Sequence, residues 1–193
     1  GDVIEAKVLG KDARTDIAVI KIEPKETLTV LELGDSEAAE VGDWVMAIGN
    51  PFGLGGSVSV GIISSKERDI GSGPYDEFLQ TDAAINKGNS GGPLFNMNGE
   101  VIGVNTAIIS PSGGSIGIGF SVPSDTAALI IDQLRLYGET RRGWLGVKIR
   151  SVTDDLAESL GVPENTGALI ESVTPAGPAA KGGIQDGDVV LRF

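Results

Sequence analysis

The chain has 193 residues, 40% of them hydrophobic, and its 15 basic and 27 acidic side chains leave a formal charge of −12. That balance supports a folded core of one or two domains and argues against a nucleic-acid partner, whose phosphates would be repelled. The chain has no cysteine and no histidine, which excludes disulfides, thiolate and imidazole metal sites, a cysteine nucleophile and any Ser-His-Asp triad complete within these residues.

No apolar run is long enough to span a membrane, and Gly1-Asp2-Val3-Ile4 does not read as a signal peptide. The 29 glycines have no period, so a collagen-like chain is excluded. Short β-branched segments follow one another along the first two thirds. Strands are predicted at Val3–Leu9, Ile17–Ile22, Trp44–Ile48, Ser57–Ile63, Val101–Ala107 and Ile116–Val122. Turn chemistry separates them at Gly49-Asn50-Pro51-Phe52-Gly53, Gly71-Ser72-Gly73-Pro74 and Asn98-Gly99. Asn98-Gly99 lies between Leu94-Phe95 and Val101-Ile102, a strong hairpin signal. Many short strands and few helices predict a mainly β fold, a barrel or sandwich.

Ser124 then reads as an N-cap. Ala127, Ala128, Ile130, Ile131, Leu134 and Leu136 follow at helical spacing, and Gly138 ends the run. Arg141-Arg142-Gly143 reads as a linker or domain start. The last fifty residues are mixed: strands at Trp144–Ile149, Ala168–Val173 and Asp188–Leu191, a helix at Asp154–Leu160 stopped by Gly161 with Pro163 beyond, and a helical turn at Pro178–Gly182. So short a stretch is small for an independent core, so an incomplete unit is expected there.

The segment from Thr81 to Leu94 carries the chemistry. Ser90 stands between Gly88 and Gly91-Gly92. Glycines there permit a tight turn and close approach of a substrate carbonyl, and the Gly88 and Ser90 N–H groups could face one point as an oxyanion hole. A Gly-rich hairpin turn is the bland alternative. The Gly-x-Ser-x-Gly elbow of lipase-type hydrolases is a second, but it needs a helix directly after the serine, and Pro93-Leu94-Phe95 with an Asn-Gly turn follows instead.

Gly88-Asn89-Ser90-Gly91-Gly92-Pro93 is similar to the nucleophile segment of chymotrypsin-like serine proteases. With Asn50-Pro51-Phe52-Gly53 before it and Gly117-Ile118-Gly119-Phe120-Ser121-Val122-Pro123 after it, the chain resembles the HtrA/Deg family over nearly its whole length. The resemblance implies a mainly β, chymotrypsin-like protease domain lacking most of its first barrel (1–123), a linker helix (124–140) and a partial, α+β PDZ domain (141–193). It implies Ser90 as nucleophile and Asp16, in Thr15-Asp16-Ile17-Ala18-Val19-Ile20-Lys21, as the acid that orients a histidine lying upstream of this chain. Gly88, Asn89 and Ser90 would supply the oxyanion hole. Lys87 as substitute base is weaker, since a lysine on that loop would point away from its own serine. By the same resemblance Ala84–Lys87 and Ser110–Ile118 would line the substrate pocket. The substrate-pocket residues would be Ile85, Ile116, Ile118, Gly119 and Phe120, with Ile118-Gly119-Phe120 supplying an edge for the substrate backbone, and the apolar Ile85, Ile116 and Ile118 favour small or medium aliphatic P1 side chains. Glu67–Asp76 would be a sensor loop. Trp144, Leu145, Gly146 and Val147 would grip a peptide carboxylate.

The family implies a protease of misfolded or unfolded proteins in the periplasm, binding C-terminal peptides at its PDZ domain and assembling as a trimer-based homo-oligomer. No metal or cofactor is implied. This chain by itself is expected to be inactive. The alternative is a non-catalytic scaffold that binds peptides without cutting them.

Overall fold

In the computed structural model the described residues are 3–53, 55–73, 75–111, 113–162 and 167–191. Pro74 and Pro163, read above as turn and stop residues, and Phe193 lie outside them, as does Ser112 in the 110–118 loop. The chain divides into two units, Gly1–Arg141 and Arg142–Phe193.

In the first unit β1 (Ala6–Asp12) and β2 (Ile17–Ile22) form an antiparallel pair. Six further strands close into a barrel: β3 (Trp44–Gly49), β4 (Ser57–Arg68), β5 (Phe78–Thr81), β6 (Pro93–Phe95), β7 (Val101–Ile108) and β8 (Gly119–Pro123), in the order β3-β4-β5-β8-β7-β6. Closure leaves no open sheet edge. Alternate residues point inward, and Val45, Ala47, Ile63, Leu79, Leu94 and Ile102 meet Ala83 and Ile85 in the barrel core. Asn98-Gly99 forms the tip of the β6–β7 hairpin. There Gly99 has φ +81°, and the Asn96 side chain accepts the Asn98 and Glu100 N–H groups.

A second cluster lies outside the barrel. Phe78 and Phe120, with ring centroids 6.1 Å apart, meet Ile17, Val122 and the buried face of helix α1 (Ser124–Tyr137), which presents Ala127, Ile130 and Leu134. The helix read as a linker therefore belongs to the core of the first unit. It approaches β1 closely: a Cβ on Gly10 would stand 2.5 Å from the Gly138 carbonyl oxygen.

Ser124 does not cap α1. Pro123 holds the N-cap position, and the Ser124 hydroxyl donates instead to the Gly34 carbonyl at 2.6 Å. The tie is tertiary, between the 34–37 segment and the helix start. Asp125 completes it by accepting from the Ser36 hydroxyl at 2.5 Å, the Ser36 N–H at 2.8 Å and the Glu37 N–H at 3.3 Å.

Strand bounds differ from expectation where loops intrude. The strand expected from Ile116 begins at Gly119, because Gly117 has φ +82° and breaks extension. The four-residue β5 was too short and too mixed to stand out. In the second unit β9 (Val147–Ser151), β10 (Ala168–Val173) and β11 (Val189–Val190) form one antiparallel sheet, with helices α2 (Asp154–Leu160) and α3 (Pro178–Lys181). Val152, Ala157 and Leu169 make its small core. Among the described residues no helix is long and apolar enough to cross a membrane.

The Ser36 hydroxyl and the two N–H groups hold the Asp125 carboxyl below its ordinary pKa, burial opposing them. A depressed folded-state pKa contributes stability that is present at neutral pH and lost as pH falls through the folded value. The stability difference between the protein and its Asp125→Asn variant, measured by urea unfolding, should therefore be largest at neutral pH. It should shrink below the ordinary carboxylate range.

Candidate active site

Ser90 sits on a loop fixed from three directions. The Asn89 N–H donates to the Asn86 carbonyl at 3.0 Å, closing a turn in which Gly88 has φ +104°. The Asn50 N–H donates to the Gly88 carbonyl at 2.9 Å, and the Gly91 N–H donates to the Asn105 carbonyl at 2.7 Å. The approach of backbone to backbone excludes side chains. A Cβ on Gly88 would lie 2.5 Å from the Pro51 Cα, and one on Gly92 would lie 2.3 Å from the Ile48 carbonyl oxygen. The Gly49–Gly53 turn, singled out in the sequence without a role, is the platform under the Ser90 loop.

Among the described residues the Gly88 and Ser90 N–H groups have no acceptor. Two such donors flanking an exposed serine are what an oxyanion hole requires. Asn89 is a correction to the expected trio. Its N–H is consumed by Asn86, and its side chain is buried, with Nδ2 donating to the Ala84 carbonyl at 3.1 Å. Its Oδ1 accepts no hydrogen bond among the described residues and lies where Gly49 has no side chain: a Cβ there would be 2.4 Å away. Asn89 supports the turn from beneath.

Asp16 lies in the β1–β2 turn at φ +56°, a left-handed conformation that costs a non-glycine residue about 1 kcal/mol or more. Neighbours hold that turn. The Thr15 hydroxyl donates to Asp12 at 2.6 Å, and the Thr140 hydroxyl donates to the other Asp12 oxygen at 3.1 Å. Ser90 and Asp16 are joined through Thr106 on β7. The Ser90 hydroxyl donates to the Thr106 carbonyl at 3.1 Å, and the Thr106 hydroxyl donates to the Asp16 carboxylate at 2.5 Å. Sequence reasoning missed Thr106. Nothing marks a threonine inside a hydrophobic strand as a partner of an aspartate 90 residues away.

A cavity of about 290 Å³ opens beside Ser90, walled by Ile85, Lys87, Thr106, Ala107, Ile108 and Ser110. Among the described residues no carboxylate lines it. Of the five expected pocket residues only Ile85 does. Phe120 is 1% exposed in the second cluster, and Ile118 packs against that same cluster. Ile116 is 54% exposed and stands apart from the cavity. Gly119 acts from behind, since a Cβ there would strike the Ile85 side chain at 2.7 Å. Strand β7 supplies one wall of the cavity, through Thr106, Ala107 and Ile108. A larger cavity of about 440 Å³, between Trp44, Met97 and Glu100, includes none of these residues.

Asp76 organises the loop after β4. Burial pushes its carboxyl up, but hydrogen bonds from the Ser72 N–H and hydroxyl and from the Ile70 and Gly73 N–H groups outweigh it and hold the pKa below the ordinary value. In the second unit Trp144 is 65% exposed, and its ring stands 3.2 Å from where a Cβ on Gly146 would be. The Leu145 carbonyl accepts from the Ala179 N–H and the Gly146 carbonyl from the Thr174 N–H. Val147 lies at the start of β9, paired with Val173. The Leu145 and Gly146 N–H groups have no acceptor among the described residues. No group of three or more metal-ligating side chains occurs among the described residues.

A barrel of this topology with a serine on a glycine turn and two free N–H groups defines a chymotrypsin-like serine peptidase domain. The family of trypsin-like peptidase domains matches residues 1–104, and the PDZ domain family matches residues 133–192. The chain belongs to the trypsin-like peptidase family, and within it to the HtrA/DegP-like proteins that carry a PDZ domain. It is 57% identical over 191 residues to a probable periplasmic serine endoprotease DegP-like of Brucella suis, covering 98% of this chain and 37% of that protein. It is 56% identical to the protein of the same description from Rhizobium meliloti, covering 100% and 38%. Among solved structures, the HtrA-type protease AlgW with a tripeptide superposes with a TM-score of 0.83 at 49% identity, covering 96% of this chain and 62% of that one. AlgW with a decapeptide gives a TM-score of 0.78 at 48% identity, covering 97% and 57%. The chain thus spans under two fifths of the length of these two curated relatives.

The close approach of β3 to the Ser90 loop is testable by stability alone. Gly49→Ala is expected to cost about 1–3 kcal/mol, the range for overpacking. Gly56→Ala, where a Cβ meets nothing within 4 Å, should be near neutral. Urea unfolding of both variants decides it, and equal costs would remove the platform role.

Proposed function

We propose that the protein containing this chain is a serine endopeptidase of unfolded and misfolded polypeptides, acting in the periplasm. The observation that carries the proposal is the line from Ser90 through Thr106 to Asp16, beside two N–H groups with no acceptor. Ser90 Oγ attacks the scissile carbonyl and loses its proton to an imidazole that these 193 residues do not contain. Asp16 orients that imidazole and stabilises its charged form, and Thr106 holds Asp16 in place. The Gly88 and Ser90 N–H groups stabilise the oxyanion. The acid-free cavity with Ile85, Ala107 and Ile108 suits a small or medium aliphatic P1 side chain.

In this reading residues 1–123 are the protease part, 124–140 the connecting helix region and 141–193 the PDZ part. The PDZ part receives C-terminal peptides, their carboxylate at the free Leu145 and Gly146 N–H groups beside Trp144. The relatives named as periplasmic endoproteases and the peptide-bound AlgW structures support both roles. Glu67–Asp76 is the loop that senses peptide binding, ordered by Asp76. Self-association is supported by the apolar outer face of β3 and β4, where Trp44, Val58 and Val60 are each more than half exposed.

Unfolded casein tests the central claim in the full-length protein. By the precedent of other triads, Ser90→Ala should lower kcat by about 10⁶-fold and Asp16→Asn by about 10⁴-fold. Equal turnover by the protein and its Ser90→Ala variant would leave a peptide-binding scaffold as the function. The purified 193-residue chain, having no histidine, should turn over casein no faster than its own Ser90→Ala variant.

A further inference from the structure

Asn86 is bonded in two directions. Its backbone carbonyl accepts the Asn89 N–H at 3.0 Å, closing the turn that leaves the Gly88 and Ser90 N–H groups free. Its side-chain Oδ1 accepts the Ser115 N–H at 2.9 Å. Ser115 is 29 residues further along, in the connection between β7 and β8. That connection is a small self-tied loop: the Ser110 hydroxyl donates to the Gly114 carbonyl and accepts the Gly113 N–H. Ser110 and Gly113 line the cavity beside Ser90, and Asn86 lines it as well. One half-buried side chain therefore joins the loop that walls the pocket to the turn that sets the oxyanion donors.

We propose that Asn86 is a positioning residue that couples occupancy of the side-chain pocket to the geometry of the oxyanion turn. A P1 side chain that fills the cavity bears on the 110–115 loop, and the Ser115–Asn86 bond carries that restraint to the carbonyl that closes the turn. A substrate that leaves the cavity empty gains nothing from the bond. Asn86 thus selects substrates through kcat as well as through binding, and P1 preference becomes part of transition-state stabilisation. The neutral amide suits the role, because it provides the acceptor without placing a negative charge in an acid-free pocket. The inference rests on the assignment of Ser90 as nucleophile.

The test uses full-length protein and two peptides that differ only at P1, valine or glycine. Asn86→Ala should lower kcat for the valine peptide about tenfold, the size of one lost hydrogen bond, and leave kcat for the glycine peptide within about twofold. The valine-to-glycine kcat ratio then collapses. Asn86→Asp keeps an acceptor for the Ser115 N–H and should retain most of that ratio. An equal fall for both peptides, or an unchanged ratio in Asn86→Ala, would overturn the inference. A second measurement does not need turnover. On a Ser90→Ala background, saturating valine peptide should slow amide hydrogen exchange of segments 113–117 and 86–92 more than the glycine peptide does, and Asn86→Ala should abolish that extra slowing at 86–92. Extra slowing confined to 113–117 when Asn86 is intact would show that the loop is not coupled to the turn. Absence of any Ser90-dependent cleavage in the unmodified protein would refute the peptidase reading, and the exchange measurement would still decide the coupling.

Discussion

The hydrogen bond from the Thr106 hydroxyl to the Asp16 carboxylate is the joint on which the site depends. Asp16 is carried by the β1–β2 pair and Ser90 by a loop of the closed barrel, and these are separate sheets. Thr106 belongs to β7, whose register with β8 is set by Asn105 opposite Ser121 and Ala107 opposite Phe120, with a bulge between. Two residues on one strand face one partner across that bulge, and Thr106 is the extra residue. A bulge re-aims a side chain and increases local twist. Here it frees Thr106 from the ladder, so that its carbonyl meets the Ser90 hydroxyl while its own hydroxyl meets Asp16. Without the bulge, Thr106 would have a direct partner on β8.

The helix α1 gives that joint its rigidity. Its buried face holds Ile17, the residue directly after Asp16, in a cluster with Phe78 and Phe120. The αL conformation of Asp16 is thereby imposed from both sides, by the apolar anchor at Ile17 and by the Asp12–Thr15 bond before it. A strained residue persists only when its surroundings over-determine it. Under the proposed function, a carboxylate fixed in this way on the Thr106 hydroxyl would be pre-organised for charge stabilisation, with no reorganisation left to occur during the reaction.

Much of this was legible in the sequence. Glycines that a turn or a close backbone contact requires leave a visible trace, so Gly88-Asn89-Ser90-Gly91-Gly92 stood out. The Asn98-Gly99 hairpin was equally visible, because both residues tolerate φ above zero. The pocket was legible only in part. Strand β8 is buried on both faces from Gly119 to Val122, so alternation cannot say which of its residues meets the cavity and which the second cluster. Phe120 turns its side chain into the second cluster, and β7 lines the cavity. Asn89 could not be separated from Gly88 as a donor, because the distinction is the direction of one peptide plane. Ser124 had every local mark of a cap, and a carbonyl at Gly34 outcompeted the helix for its hydroxyl.

Three of the features hidden from the sequence share a cause, a polar group whose partner lies far along the chain: Ser124 with Gly34, Thr106 with Asp16, Asn86 with Ser115. Local patterning reports backbone conformation and burial, which neighbours in sequence decide. It does not report where a side-chain hydrogen bond ends, because that is settled after the elements have packed. In this chain the long-range bonds gather at the first turn of α1 and around the Ser90 loop. At the loop, the Asn89 N–H, the Gly88 and Asn89 carbonyls and the Asn89 Nδ2 are all bonded within the protein, which leaves the Gly88 and Ser90 N–H groups on either side of Asn89 without an acceptor among the described residues. The buried Asn89 Oδ1 lies against Gly49, where a Cβ would stand 2.4 Å from it. A buried acceptor without a partner among the described residues costs stability, and this one falls on the residue between the two free N–H groups.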